Sequence, residues 1–383
     1  MKRWLSLLAK TLSRFGLWMP ALVAGYLAGP FGDSDREARG RMLYGFLMAK
    51  KNPSLRGFLT RLIRRDLDRS STGDLWLAAL AQAAHRPHLA ALISRRVSHR
   101  TNSSVDVASA RMFADLTQSL ADGSIYERVA ATVDAAGLSP GQSVVLVPVG
   151  SRYLELFRLW LELARKHVAG RVTVLALDLA AAEAAAQLGL SVLDLSPFFC
   201  FDEDGKIHDR SRNALWILRV LALREIVARG HVLISLDLDA LVRADLAPLL
   251  ASFPEADIVA QQDYSIPVEV ARKFGFILCC GFMCFRPTEA TQDFLDRYAI
   301  RTMHELDDQL ALNHMLADAG IADLVKTPRF FTFRSAGVLW VCPDKSLVSR
   351  DIASGTVVRH FQQQGQTNDE LRALLGIEAE VSN

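Results

Sequence analysis

The stretch "WILRVLALREIVARGHVLISLDLDALV", Trp216–Val242, decides the fold. Its first part places apolar residues three and four apart among Leu, Ala, Arg and Glu, which predicts a long helix. Gly230 supplies a turn, and "HVLISL" then runs on as a buried strand. Where that strand runs out stand two aspartates, Asp237 and Asp239. Residues at i and i+2 of an extended chain point the same way, so both carboxylates are expected on one face.

Upstream of this stretch, "SVVLVPVG" (143–150), "RVTVLALD" (171–178) and "SVLDLS" (191–196) are apolar runs of strand length. Between them "YLELFRLWLELARKH" and "LAAAEAAAQLG" have helical spacing. Buried runs alternating with helices predict a parallel sheet with helices on both faces. Downstream, "DIVAQQD", "FILCCGFMCFRP", "LVKTPRFFTF", "VLWVCP" and "TVVRHFQ" are strand-like with fewer helices between them, so the later part is expected to be mixed. Residues 1–138 read as helical throughout. The expected architecture is therefore α/β, with a helical N-terminal region at 1–138 and a sheet domain at 139–383.

Composition narrows the classes. Of the 383 residues, 50% are hydrophobic and 22% charged, which suits a packed core and argues against disorder. A net charge of +2 is too small to make nucleic acid the main partner. The five cysteines (Cys200, Cys279, Cys280, Cys284 and Cys342) are few, odd in number and mostly inside apolar runs. They read as reduced thiols of a cytoplasmic protein rather than a disulfide framework.

The N-terminus, "MKRWLSLLAKTLSRFGLWMPALVAGYLAGPFG", carries an apolar run that is short for a bilayer span and is interrupted by Pro20. Trp4, Leu7, Leu8, Leu12 and Phe15 fall at helical spacing with Lys2, Arg3, Lys10 and Arg14 interleaved. Two readings stand here. One is an interfacial helix making peripheral contact with the inner face of an anionic membrane, the other a helix packed on the rest of the protein.

Two carboxylates this close repel and raise one pKa unless a cation lies beside them. A divalent ion such as Mg2+ or Mn2+ takes one or two carboxylates and completes its shell with phosphate oxygens and water. Ligands of such sheets bind at the carboxyl ends of the parallel strands, where Asp237 and Asp239 lie. An Asp-x-Asp there suits a metal–diphosphate; the plainer alternative is a solvated loop start.

The wider pattern resembles the nucleotide-diphospho-sugar transferases of the GT-A fold. That family runs strand, helix, strand, helix, then a long helix and a strand ending in Asp-x-Asp, and a basic residue precedes the first Asp by 18 positions, here Arg219. "CCGFMCFRPT" looks like its Gly-Phe-Met strand, "ELDDQLALNHML" like its Asp-Gln-x-x-x-Asn helix, and "VVRHFQQQG" like its His-Phe segment. The resemblance covers residues 141 to about 366 and implies a Rossmann-type, mostly parallel sheet. It implies that Asp237, Asp239 and His360 hold Mn2+ or Mg2+, and that Arg219, an Arg where the family usually has Lys, adds charge at the diphosphate or the sugar. Val149, Gly150, Arg152 and Asp178 would cradle base and ribose. Asp308 and Gln309 would face the transferred sugar as the catalytic pair, with Gly281, Phe282 and Asn313 in the sugar or acceptor pocket. It further implies a glycosyltransferase that uses a nucleotide-diphosphate sugar and retains anomeric configuration, the acceptor being a glycan, glycolipid or protein.

Two other classes share parts of this pattern. Haloacid-dehalogenase-type phosphotransferases also end a buried strand in Asp-x-Asp, with the first Asp (here Asp237) as nucleophile. Their usual Gly-Thr after the second Asp is Ala240-Leu241 here. A non-catalytic binding protein built on the transferase fold is the third class.

Overall fold

A computed structural model describes residues 119, 122–168, 170–199, 212–264, 266–305, 307–350 and 355–360. The chain divides into two compact units, one of residues 1–127, 198–216 and 302–307, the other of 128–197, 217–301 and 308–383. The sheets and the candidate site belong to the second. Of the helical region expected at 1–138, the described part is mainly α1, Ser124–Ala135. The basic amphipathic segment at the N-terminus lies outside the described residues, as do Cys200 and the residues after His360.

The expected strand–helix alternation is present: β1 Val144–Val149, α2 Leu154–Ala164, β2 Arg171–Ala176, α3 Leu179–Gln187, β3 Ser191–Asp194, then the long α4 Arg212–Ala228 and β4 Leu233–Leu236. There follow β5 Ala240–Val242, α5 Leu246–Ala251, β6 Ile258–Asp263, α6 Val268–Phe274, β7 Ile277–Phe285, α7 Glu289–Glu305 and α8 Asp308–Ala319. The chain continues through β8 Ala322–Lys326, β9 Phe330–Ser335, β10 Val338–Pro343, β11 Val348–Ser349 and β12 Val358–His360.

Nine strands form one sheet in the order β3-β2-β1-β4-β7-β6-β10-β9-β8, and β11-β12-β5 form a small second sheet. The first four strands are parallel. β7 runs antiparallel between β4 and β6, and the β10-β9-β8 meander closes the far side. The sheet is thus parallel across its first four strands and mixed beyond them. Parallel neighbours need a crossover; antiparallel ones need only a turn.

Alternation along the strands assigns the faces. Val145, Val147, Val174, Ala176, Ile234 and Leu236 pack with Phe157 and Trp160 of α2 and with Ala181 and Ala185 of α3. On α2 the buried Leu156, Phe157, Trp160, Leu161 and Ala164 recur at helical spacing, so its sequence builds the stripe that the sheet needs. Full burial of each such large side chain contributes about 1.5–3 kcal/mol. The opposite face meets α4, from which Arg219 reaches Ser235. Gly230, at φ 81°, ends that helix in the left-handed conformation that glycine adopts at least cost.

Candidate metal and donor site

The two aspartates do not lie on an extended strand. β4 stops at Leu236, and the Ala240 N–H donates to the Asp237 carbonyl at 2.9 Å, closing a tight turn before β5. Leu238 between them is buried in the core, so the turn is pinned by its apolar residue and both carboxylates are turned outward. The indole N–H of the fully buried Trp160 donates to the Ala240 carbonyl at 2.9 Å and fixes where the turn ends. The Asp237 N–H donates to the Gly281 carbonyl at 2.9 Å, tying the turn to β7. The expectation of a shared strand face is therefore corrected: a turn, not the pleat, brings the carboxylates together.

His360 joins them from β12, which pairs antiparallel with β5 so that His360 sits opposite Ala240. Its Nε2 is 3.2 Å from Asp239 Oδ1 and 3.9 Å from Asp237 Oδ2. Asp237, Asp239 and His360 each offer a ligand atom, and these atoms all lie within 4.8 Å of one another. Burial works against a charge on His360, yet the Asp239 carboxylate and Cys279 outweigh it and hold the imidazole well above its ordinary 6.5. For Asp237 burial favours the neutral acid, but Arg219 and then His360 outweigh it and keep its carboxyl below the usual range.

Arg219, only 2% exposed, lies under the site. Its Nη1 donates to Asp237 Oδ1 at 2.7 Å and lies 3.7 Å from Asp308 Oδ2, while Nη2 donates to Ser235 Oγ at 3.2 Å and to the Cys280 carbonyl at 2.6 Å. Burial opposes its charge, but Asp237 and Asp308 outweigh it, so the guanidinium stays protonated. It thus links the carboxylate at the end of β4 to the one that begins α8. Gln309, half-buried, donates through Nε2 to the Ile266 carbonyl at 2.9 Å.

The other expected site residues divide. Gly150, Arg152 and Asp178 follow the carboxyl ends of β1 and β2, on the same edge as Asp237, and Arg152 is exposed there. Asp178 is buried and caps α3: Oδ1 accepts from the Ala181 N–H at 2.8 Å and Oδ2 from the Ser151 N–H at 2.6 Å, so it joins the two loops. Val149 and Phe282 are buried in the core cluster rather than lining a surface. Asn313 is fully buried, accepts from the Leu278 N–H and donates to the Leu278 and Gln309 carbonyls, each at 2.8 Å. Its amide completes β7 as a strand neighbour would. Gly281 packs under His360: a Cβ there would stand 2.1 Å from the imidazole Cε1.

Two residues near the site carry no local sequence signal. Gln261 of β6 approaches His360, its Oε1 lying 3.1 Å from Nδ1. Arg350, which follows β11, pairs with the buried Asp263; burial opposes its charge, while Cys279, Asp263 and then Asp239 favour it.

The fold and the site define an α/β domain with an acidic, histidine-containing cluster at the carboxyl edge of its parallel strands. Over residues 167–350 the chain matches the family model described as nucleotide-diphospho-sugar transferase. That span includes Arg219, Asp237, Asp239, Gly281, Asp308 and Gln309 and stops short of His360. Among solved structures, the chain is similar to the glycosyltransferase GlyE in Streptococcus pneumoniae TIGR4, with 15% identity, a TM-score of 0.32, and coverage of 46% of this chain and 44% of that one. It is also similar to mouse xyloside xylosyltransferase 1 in its apo form, with 14% identity, a TM-score of 0.24, and coverage of 46% and 75%. The likeness thus spans less than half of GlyE. No curated protein matches the chain.

Proposed function

We propose that this chain transfers a glycosyl group from a nucleotide-diphosphate sugar to a glycan, glycolipid or protein acceptor, with retention of configuration. The observation that carries this reading is the convergence of Asp237, Asp239 and His360 at the carboxyl end of β4, with both aspartates inside the span that matches the nucleotide-diphospho-sugar transferase family. The family match favours glycosyl transfer over phosphotransfer from Asp237.

Two carboxylates and an imidazole suit Mn2+, and less closely Mg2+, which prefers oxygen ligands. When bound, such an ion supplies charge to stabilise the departing diphosphate. Asp237 receives Arg219 on Oδ1, which leaves Oδ2, the oxygen nearer His360, for the ion. Arg350, with about a third of its side chain exposed, is an arginine able to meet a phosphate; Arg219 is buried beneath the carboxylates and pairs with Asp237. Asp308 and Gln309 at the start of α8 are read as the groups facing the transferred sugar, where a carboxylate stabilises positive charge at the reacting carbon. The loop ends at Gly150, Arg152 and Asp178 are read as the floor for base and ribose.

No helix among the described residues is long and apolar enough to cross a membrane. The four described cysteines are free and buried, which supports a cytoplasmic setting. The basic amphipathic N-terminus supports peripheral contact with the inner membrane face.

The test is thermal unfolding with UDP, GDP and ADP, with and without Mn2+, on wild type and Asp239→Asn. A ligand that binds only the native state raises the midpoint. The expected result is a shift that needs both Mn2+ and one nucleotide and is lost in the variant. No shift with any nucleotide would sink the reading.

A further inference from the structure

We infer that Gln261 is a positioning residue for the candidate cation site: its Oε1 takes the Nδ1–H of His360 and thereby turns Nε2 toward Asp237 and Asp239. The inference rests on the cation-site reading above and adds a residue that lies far from the Asp-x-Asp in sequence.

The pairing of β6 with β7 breaks at Gln261. Ala260 of β6 pairs with Met283 of β7, but the next residue, Gln261, pairs with Cys279. Cys280, Gly281 and Phe282 lie between, and Phe282 pairs instead with Leu236 of β4. Such irregularities bend a strand and re-aim side chains, and they are common beside functional sites. Here the break opens a space over Gly281, and the His360 ring fills it, closer than any Cβ at 281 would allow. Gln261, fully buried, stands at the same break.

An amide oxygen only accepts, so the contact at 3.1 Å requires the hydrogen of the ring on Nδ1. A neutral imidazole with hydrogen on Nδ1 carries its lone pair on Nε2, the nitrogen 3.2 Å from Asp239 Oδ1. Partners of this kind on the far nitrogen fix the ring orientation of metal-binding histidines. The competing partner is Cys279 Sγ, at 3.6 Å from the same Nδ1, a weaker acceptor that already receives the Gly281 N–H at 3.5 Å. A second observation separates function from packing: Gln261 Nε2 is buried and meets no acceptor. A buried unpaired donor destabilises the fold, so the side chain at 261 is better explained by what its oxygen does than by what the whole amide contributes to stability.

The experiment uses the full-length protein and Mn2+ alone as the probe. Mn2+ affinity is measured by calorimetry on wild type, Gln261→Leu, Gln261→Glu and Cys279→Ala, alongside the thermal midpoint of each. The His360 Nδ1–H resonance is read by 15N NMR without added metal and identified by its loss in His360→Asn. Gln261→Leu is expected to weaken Mn2+ binding by about tenfold or more, to lose the protected Nδ1–H resonance, and to keep the wild-type thermal midpoint. Gln261→Glu restores an acceptor and keeps both the resonance and the affinity. Wild-type affinity in Gln261→Leu overturns the inference, as does loss of the resonance in Cys279→Ala but not in Gln261→Leu. A wild-type protein that takes no Mn2+ overturns the cation reading instead, and the resonance still reports on Gln261.

Discussion

Arg219 and Asp237 form an ion pair at 2.7 Å in which the arginine is almost completely buried and the aspartate reaches the surface of the site. The guanidinium also faces Asp308 at 3.7 Å, so one cation from α4 serves two carboxylates from different elements. Burying a charge costs several kcal/mol unless it is paired, and the cost returns when one partner is removed. Arg219→Met is therefore expected to destabilise the protein by about 3–5 kcal/mol, read as a lower urea midpoint. Arg219→Lys keeps the charge but loses the planar fork that reaches Asp237, Ser235 and Cys280 together, and should fall between the two. A variant as stable as wild type would show that the pair is not structural.

Gly281→Ala probes the space under His360. The added Cβ would stand 2.1 Å from Cε1 and 2.4 Å from Nδ1, both at the far end of a side chain that can swing away. The fold should survive with a modest loss of stability, while the imidazole leaves the two aspartates. The expected outcome is native circular dichroism with Mn2+ affinity reduced about tenfold or more, matching His360→Asn. Unchanged affinity would show that the ring is not needed.

Asn313 separates a pocket role from a strand role. Its amide satisfies the N–H and C=O of Leu278, and each buried group left unpaired costs about 1–3 kcal/mol. Asn313→Ala should lower the unfolding free energy by an amount of that order and leave the nucleotide-dependent thermal shift in place. Loss of the shift with unchanged stability would return Asn313 to the sugar pocket.

The sequence was most legible where structure is local. The α4–β4 passage reads directly from apolar spacing, because a helix stripe and a buried run are patterns of near neighbours. Arg219 could be picked out by its distance from Asp237, but not its burial, since that depends on β7 covering it. The Asp237–Ala240 turn was hidden because Leu238, which is buried, continues the strand-like alternation. Gln261 left no trace in sequence: its contact with His360 spans 99 residues and exists only because the β6–β7 register breaks.

Alkaline pH should destabilise the protein through its core thiols. Burial pushes Cys284 from the ordinary 9.0 up to about 12, and it pushes Cys280 and Cys342 well above the ordinary value too. Between about pH 9 and pH 12 the unfolded chain gives up thiol protons that the folded chain keeps, so stability is fully present below this window and falls through it. Each such thiol contributes a slope of about 1.4 kcal/mol per pH unit there. The urea midpoint should decline steadily from pH 9 to 11, and less steeply in Cys284→Ala. A flat midpoint over that range would contradict the assignment.

Arg350 pairs with Asp263 beside the candidate cation site. It follows β11, whose Ser349 pairs in register with Arg359, the neighbour of His360, so the chain brings it to the rim of the acidic cluster. Its partner Asp263 is nearly buried, while about a third of the Arg350 side chain remains exposed. Arginine recognises phosphate through a planar fork, and a partly exposed contact of this kind weakens with salt. Arg350→Gln should therefore weaken binding of the preferred nucleoside diphosphate with Mn2+ several-fold, weaken the monophosphate less, and flatten the salt dependence of the diphosphate. Binding of Mn2+ alone should not weaken, because a positive charge beside the site is removed. Equal losses for the diphosphate, the monophosphate and Mn2+ would instead mean that Arg350 acts by holding β11 and β12 in place, with Asp263 as its structural partner.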